Sequence, residues 1–78
     1  MKVQAVKCPT CGDIIFSRAR HDFRVCSCDE TFVDGGFDCF RYGGDNHPIP
    51  MELEIEQTEA ELYQDWNYRT DKYGVIHG

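Results

Sequence analysis

Four of the five cysteines fall into two close pairs whose spacing is typical of a metal site. The first pair begins and ends the run CPTC at residues 8–11, and the second forms the run CSC at residues 26–28. A structural Zn²⁺ takes four ligands at tetrahedral corners, about 2.3 Å from each cysteine sulfur. The sequence therefore predicts one structural Zn²⁺, with the ligands Cys8, Cys11, Cys26 and Cys28.

The alternatives for these cysteines are a disulfide framework or free thiols with no common role. The odd total of five cysteines, and the lack of a secretory apolar run in residues 1–7, both indicate a reducing cytosol, where metal binding is more common than disulfides. We expect a cytoplasmic protein without a transmembrane span, since no stretch approaches about eighteen apolar residues. A chain of 78 residues forms one small domain, which a bound metal would stabilise.

The overall charge opposes nucleic-acid binding. Eight Lys and Arg stand against fourteen Asp and Glu, for a formal net charge of −6, whereas nucleic-acid binding depends on cationic side chains that neutralise phosphates. Nucleic acid is therefore an unlikely partner. The alternative is a nucleic-acid-binding ribbon with a locally basic surface made by four arginines: Arg18, Arg20, Arg24 and Arg41.

The elements around the cysteines are predicted to be strands. After a short strand or extended arm at residues 1–7, residues 13–17 and 23–25 form a first hairpin, whose polar tip is RARHD at residues 18–22. Asp22 can cap backbone N–H groups in this turn, and Phe23, which follows the tip, can pack in the core. Residues 31–33 and 37–42 form a second hairpin around the Asp-Gly-Gly turn at 34–36.

The C-terminal half follows a turn-rich connection at residues 43–50. Residues 51–56 alternate between apolar and acidic side chains, which predicts a strand with one buried face. Thr58 and Glu61 fit a capping box at the start of a helix over 59–71 with an aromatic stripe, and residues 75–78 are expected to be loose. The fold class is thus α+β, a small zinc ribbon with two antiparallel hairpins plus a C-terminal strand and helix. The single domain 1–78 has a zinc-ribbon core at 8–42 and a strand-helix extension at 51–73.

Residues 8–41 resemble zinc ribbons in general, through the Cys-Pro-x-Cys-Gly knuckle and the second cysteine pair. More narrowly, they are similar to a group of small proteins of bacteria and bacteriophages. The shared features stand here at Cys8–Gly12, His21–Phe23, Cys26–Cys28, Asp34–Gly36 and Arg41. The resemblance implies a zinc-ribbon fold, a bound metal and a phage origin, which would place the protein in the host cytoplasm. It implies no particular activity.

Two further features, the residues around the Asp-Gly-Gly turn and the fifth cysteine, each have a functional and a structural interpretation. An anion- or nucleotide-binding site is one interpretation of the residues His21, Asp34, Gly35, Gly36, Asp38 and Arg41. A tight turn with a solvated ion pair, next to a structural histidine, is the simpler one. Cys39 lies among aromatic residues and is expected to be a buried free thiol, since no neighbouring base or helix N-terminus would activate it.

The C-terminal half is the predicted interaction surface. Its candidate contacts are an acidic stripe and three aromatic side chains: Glu52, Glu54, Glu56, Tyr63, Trp66 and Tyr68. Such a stripe suits a protein partner with a basic surface. No paired acid and base is identifiable, and four cysteines leave zinc no open position. We therefore expect a non-enzymatic, zinc-binding protein-interaction module that inhibits or redirects a host protein. The alternatives are a nucleic-acid-binding ribbon and a binder of a small anionic nucleotide.

Overall fold

A computed structural model describes residues 1–36, 39–70 and 72–77. It is an α+β fold with two antiparallel sheets and one short helix. In chain order the elements are β1 (Lys2–Lys7), β2 (Ile14–Ile15), β3 (Arg24–Val25), β4 (Thr31–Asp34), β5 (Arg41–Gly44), β6 (Ile49–Glu54), α1 (Glu59–Asn67) and β7 (Val75–Ile76). None of the described helical residues belongs to a helix long and apolar enough to cross a membrane.

Sheet 1 contains four strands in the order β6-β1-β2-β7 and forms the middle layer. On one side of it lies the helix-side core, made of the buried residues Val3, Ala5, Phe16 and Leu62. On its other side lies the thiol-side core, made of Val6, Cys8, Ile15, Cys26 and Val33. Because successive strand residues point to opposite faces, Val3 and Ala5 face the helix, whereas Val6 faces the cysteines.

Sheet 2 contains three strands in the order β3-β4-β5 and covers the thiol side of sheet 1. In β4, Thr31 and Val33 are buried while Phe32 is exposed, so one face of sheet 2 packs inward and the other meets solvent. The cysteines thus lie between the two sheets, which is where a metal would join them.

The first hairpin differs from its prediction. Strand β2 pairs with β1 and β7, and β3 pairs with β4, so β2 and β3 do not pair with each other. The two cysteine runs are themselves the turns of the hairpins β1–β2 and β3–β4. Residues 18–22 do not form the predicted solvated hairpin tip, because some of their side chains are buried.

The second hairpin is present, but its connection is longer than a two-residue turn. Asp34 pairs with Arg41, so six residues separate the strands. The predicted strand at 37–42 is shifted to Arg41–Gly44, while its residues Phe37 and Asp38 lie outside the described part of the chain. Gly36 has a φ of 65°, and a Cβ there would lie 2.8 Å from the backbone of Ala19, so this position requires glycine.

The C-terminal half packs directly against the N-terminal strand. β6 pairs with β1 along six residues, from Lys2 opposite Glu54 to Lys7 opposite Ile49. The strand therefore begins two residues before the predicted 51–56, and Gly43–Pro50 is not one connection, because both of its ends are in strands. The alternation is as predicted: Met51, Leu53 and Ile55 pack on the helix-side core, and the three glutamates are exposed.

Helix α1 starts with the predicted capping box and stops earlier than predicted. Thr58 accepts a hydrogen bond from the backbone N–H of Glu61, and the Glu61 side chain accepts one from the backbone N–H of Thr58. The helix ends at Asn67 rather than near residue 71, because Arg69 has a φ of 55°. The segment expected to be loose contains β7, which pairs with β2.

Candidate metal centre

The four predicted ligands converge. The sulfur atoms of Cys8, Cys11, Cys26 and Cys28 all lie within 4.8 Å of one another. The Cys28 sulfur is 3.5 Å from that of Cys8 and 3.4 Å from that of Cys26. In a disulfide the sulfurs are about 2.05 Å apart, whereas the edge of a tetrahedral ZnS₄ site is about 3.8 Å. The spacing therefore fits four thiolates around one metal ion.

The first knuckle is a turn held by its own backbone. The N–H of Gly12 donates to the carbonyl of Cys8 at 2.8 Å, and the N–H of Cys8 donates to the carbonyl of Asp13 at 2.8 Å. Gly12 has a φ of 80°, the left-handed conformation that glycine adopts without a steric penalty. In the second knuckle, the N–H of Cys26 donates to the carbonyl of Thr31 at 3.0 Å.

The pKa values of the Cys8 and Cys28 thiols are shifted in opposite directions. Burial opposes ionisation of Cys8, but hydrogen bonds with the backbone of Cys11 and the side chain of Thr31 outweigh it and lower its pKa to about 5. A hydrogen bond at the Glu30 backbone favours the Cys28 thiolate, but burial and the neighbouring thiols outweigh it and raise its pKa to about 12. One thiolate therefore forms readily, and its negative charge opposes the ionisation of a second thiol. A bound cation would stabilise all four thiolates.

Asn46 holds the sulfur of Cys8 from outside the cluster. Its Nδ2 donates to that sulfur at 3.2 Å and to the Thr10 hydroxyl at 2.9 Å, while its Oδ1 accepts from the Thr31 hydroxyl at 3.1 Å. The backbone N–H of Thr31 also donates to the Cys26 sulfur at 3.4 Å. Asn46 follows β5 and is far in sequence from any cysteine pair, so sequence reasoning missed it.

Asp13 joins the two knuckles. Its carboxylate is buried and accepts hydrogen bonds from the Ser27 backbone N–H, at 2.9 Å, and from the Ser27 hydroxyl. Ser27 is the residue between the two cysteines of the second pair. Hydrogen bonds of Asp13 therefore join the hairpins β1–β2 and β3–β4 next to the sulfur cluster.

Arg18, Asp22 and Asp65 form a second, buried polar centre, of which the sequence predicted only the capping role of Asp22. Arg18 is 2% exposed, and its guanidinium contacts Asp22 through Nε at 2.8 Å and Asp65 through Nη1 at 2.7 Å. The Arg18 backbone N–H also donates to Asp22 at 2.9 Å, as the capping prediction for Asp22 requires. Arg18 is thus unavailable to a nucleic acid, because a buried guanidinium paired with two carboxylates cannot reach a phosphate.

Asp65 receives most of its partners from the segment after α1. Besides Arg18, the Thr70 hydroxyl and the backbone N–H groups of Lys72 and Tyr73 donate to its carboxylate. Burial opposes its ionisation, but the hydrogen bonds from Thr70, Lys72 and Arg18 outweigh it and hold its pKa well below its usual value. Asp65 is buried on α1, although the sequence analysis of this helix did not single it out.

The residues proposed for an anion site are only partly brought together. Asp34 and Arg41 are cross-strand neighbours and form an ion pair of 3.0 Å, and the Gly35 backbone N–H donates to Asp34 at 2.8 Å. Gly36 instead donates to the Ser17 hydroxyl. His21 is exposed in the neighbouring loop, and Asp38 lies outside the described residues.

Two sequence predictions about packing are wrong. Cys39 is exposed rather than buried, and it is outside the sulfur cluster. Phe23 is 60% exposed and stacks on Phe32 with ring centroids 5.5 Å apart, instead of packing in the core. The contact with the exposed Phe32 places Phe23 on the outer surface of sheet 2.

The residues proposed for the partner surface come from two elements, three from β6 and the segment after it and three from α1 and its C-terminal end. Because the residues between the glutamates pack on the helix-side core, the glutamates point away from α1. Glu52, Glu54 and Glu56 are exposed, although Glu52 is 3.6 Å from Lys2 and Glu54 is 4.0 Å from the N-terminal amine. On α1, Tyr63 is 39% exposed and packs edge-on against the half-buried Trp66, and Tyr68 is 71% exposed.

A family model described as a domain of unknown function, DUF7695, matches residues 1–44. No curated protein and no solved structure matches the chain. The matched segment contains all four clustered cysteines and ends with β5. Because it covers more than half of the 78 residues, the chain belongs to the DUF7695 family.

Proposed function

We propose that this chain is a non-enzymatic protein-interaction module held together by one zinc ion. The observation that carries the proposal is the group of four thiols, whose sulfurs lie within 4.8 Å of one another and come from two different hairpins. A set of four sulfur ligands suits Zn²⁺ or an iron–sulfur centre better than Mg²⁺ or Ca²⁺, which prefer oxygen. Zinc is favoured because two short hairpin turns bringing four cysteines together make a closed structural site.

A zinc with four cysteine ligands would have no position left for substrate or water. The role of such a metal is to link the two sheets. In small zinc domains the free energy of metal binding is about 10–16 kcal/mol and acts as folding free energy. This supports a scaffold role, and the proposed activity is binding rather than catalysis.

Metal analysis tests the zinc. We expect about one zinc per chain and loss of cooperative unfolding in a strong chelator, because the free energy of binding a structural zinc acts as folding free energy. Cys39→Ser is the matched control and should keep its zinc, since Cys39 lies outside the cluster, whereas Cys11→Ser should lose it. A metal-free chain with the same melting curve as the native protein would disprove the zinc proposal.

The proposed contact surface is the exposed acidic stripe of Glu52, Glu54 and Glu56, together with Tyr68. Its partner would be a protein with a basic surface, because opposite charges steer association and fix the register of a complex. Tyr68 is an exposed aromatic at the C-terminal end of α1, and tyrosine is enriched among the residues that dominate binding energy. The resemblance to bacterial and phage proteins supports a bacterial host protein as the target to be inhibited or redirected.

Paired variants test the surface once a partner has been isolated from a bacterial host. Glu52→Lys with Glu54→Lys, and separately Tyr68→Ala, should weaken binding by calorimetry with little change in melting temperature, because these side chains are exposed. Arg20→Ala is the control, since Arg20 is exposed in the loop beside sheet 2. Full binding by both C-terminal variants would place the interface elsewhere.

A further inference from the structure

Strand β6 is the last strand on one side of sheet 1, since the strand order is β6-β1-β2-β7. One edge of β6 pairs with β1, and among the described strands none pairs with its outer edge, the one away from β1. β6 has six residues, whereas β7 at the opposite side of the sheet has two. A long open edge is a template on which another extended chain can pair.

The ladder with β1 determines which backbone groups of β6 point to the outer edge. Met1 and Ile55, the residue after β6, exchange both hydrogen bonds, at 2.6 Å and 2.8 Å. In an antiparallel ladder such pairs alternate with pairs that exchange none. The N–H and C=O groups of Glu54 and Glu52 therefore point outwards. Pro50 is at the next outward position, where its missing N–H costs no bond to β1.

The two faces of β6 would offer an added strand different chemistry. On one face, the side chains of Glu52 and Glu54 are 65% and 70% exposed. On the other face, Met51 and Leu53 are half-buried against the helix-side core, and Ile49 is 50% exposed. Side chains directly opposite each other on paired strands share a face. An added strand would therefore need cations on its first face and apolar side chains on its second.

We propose that the outer edge of β6 binds an extended segment of the partner protein as an additional antiparallel strand, in which basic and apolar side chains alternate. Its lysines or arginines would lie opposite Glu52 and Glu54, and its apolar side chains would extend the helix-side core beside Leu53. Such recognition takes affinity from main-chain hydrogen bonds and specificity from alternate side chains. This binding mode rests on the proposed function, because it uses the same acidic stripe.

Charge favours a basic partner over a second copy of the chain. Two β6 strands paired along their full length would bring glutamates of the two copies directly opposite each other, and like charges in that arrangement destabilise a sheet. Lys2, which is 3.6 Å from Glu52, belongs to β1 and approaches the stripe from the inner edge. The outer side of the stripe is therefore open to a cation from the added strand.

Peptide titrations of the zinc-loaded chain, followed by amide hydrogen exchange, test strand addition. The probe is a short capped peptide in which lysine and valine alternate, and its control has the same composition with all lysines in one block. We expect tighter binding of the alternating peptide and slower exchange of the Glu52 and Glu54 amides, because strand addition would hydrogen-bond these N–H groups.

Unchanged exchange at both amides, or no binding of the alternating peptide at millimolar concentration, would overturn the proposal. Equal binding of the two peptides, lost alike in Glu52→Lys with Glu54→Lys, would overturn strand addition while leaving the acidic contact surface of the proposed function intact. Slow exchange at the same amides in a peptide-free dimer would assign the edge to a second copy and overturn the proposal as well.

Backbone methylation of the peptide tests the register. In an antiparallel ladder the residues opposite Glu52 and Glu54 would exchange hydrogen bonds with them, so the lysine N–H groups of the peptide would face β6 and the valine N–H groups would face solvent. Nα-methylation of the lysines should therefore abolish binding, whereas Nα-methylation of the valines should leave most of it. Equal effects of the two modifications, or the reverse order, would overturn the proposed register.

Matched variants of the chain separate the backbone contact from charge. Glu52→Gln and Glu52→Pro each remove one negative charge, but only proline also removes the outward N–H, a change that edge strands tolerate. We expect Glu52→Pro to bind the alternating peptide about twofold to tenfold more weakly than Glu52→Gln, the equivalent of one hydrogen bond. Equal affinities of two folded variants would overturn the proposal. If the proline variant does not fold, the methylated peptides decide with the native chain.

Discussion

The side-chain amide of Asn46 donates hydrogen bonds to the Cys8 sulfur and to the Thr10 hydroxyl, and it accepts one from the Thr31 hydroxyl. A hydrogen bond from an amide N–H to a cysteine sulfur stabilises the thiolate and fixes its direction. We expect Asn46→Ala to lower zinc affinity by about 10–100-fold, the usual cost of losing such an outer contact.

Competition with a chromophoric chelator measures that affinity. Asn67→Ala is the matched control, because Asn67 is exposed at the end of α1. Equal zinc affinity in both variants would mean that the Asn46 contact does not stabilise the site.

Arg18 and Arg20 are two residues apart in sequence and opposite in environment. Arg18 is buried between Asp22 and Asp65, whereas Arg20 is exposed. Removal of one partner from a buried ion pair leaves an uncompensated charge and costs about 3–5 kcal/mol. We therefore expect Arg18→Met to lower the free energy of unfolding by about that amount, and Arg20→Met to have little effect.

Urea denaturation of the zinc-loaded variants measures both effects. Equal midpoints for the two variants would show that the Arg18 ion pairs do not stabilise the fold. The same contrast explains why an Arg18 variant cannot serve as a surface control in binding experiments.

At the scale of elements, the two cysteine runs are the turns of hairpins that belong to different sheets. Each hairpin alone would place two sulfurs at one tip. The four sulfurs meet only because the thiol-side core packs sheet 1 against sheet 2, with Val6, Ile15 and Val33 buried between them. The sulfur cluster is therefore a product of sheet packing as well as of local turns.

Strand β7 shows how the end of the chain contributes to that packing. Val75 packs against the thiol-side core, whereas its neighbour Ile76 is 45% exposed. We expect Val75→Ala to lower the free energy of unfolding by about 1–2 kcal/mol, from the loss of two partly buried methyl groups, and Ile76→Ala to cost much less. Thermal unfolding compares the two variants. Equally small losses would indicate a loose terminus without a paired strand.

Exposed charge is unevenly distributed over the whole molecule. The β6 stripe and the first turn of α1 are acidic, whereas exposed arginines and aromatic rings lie around sheet 2. With a net charge of −6, the molecule as a whole repels a polyanion. Duplex DNA should therefore show no specific binding at about 10⁻⁸ M, the affinity at which dedicated binders work.

A fluorescence anisotropy titration with labelled duplex at physiological salt measures this affinity. A single strand of the same sequence is the companion measurement, because it exposes base faces as well as phosphates. Tight duplex binding that weakens steeply with salt would instead favour the nucleic-acid-binding ribbon.

The sequence by itself determined the features that depend on neighbouring residues. The cysteine spacing predicted the four clustered thiols, the alternation in MELEIE predicted which face of β6 is buried, and the Thr58–Glu61 capping box predicted the start of α1. Each depends on the conformation of one short segment, where periodicity, turn chemistry and capping act directly.

Only the tertiary structure decided which strands pair and which polar side chains are buried. Pairing of β6 with β1 joins residues more than 40 positions apart, and Arg18 is buried because Asp65, which lies 47 residues away, meets its guanidinium. A charged segment such as RARHD is indistinguishable from a solvated loop until its partner is known, because burial of an ion depends on the atoms that replace its water. The same long-range packing brought Asn46 to the sulfur of Cys8.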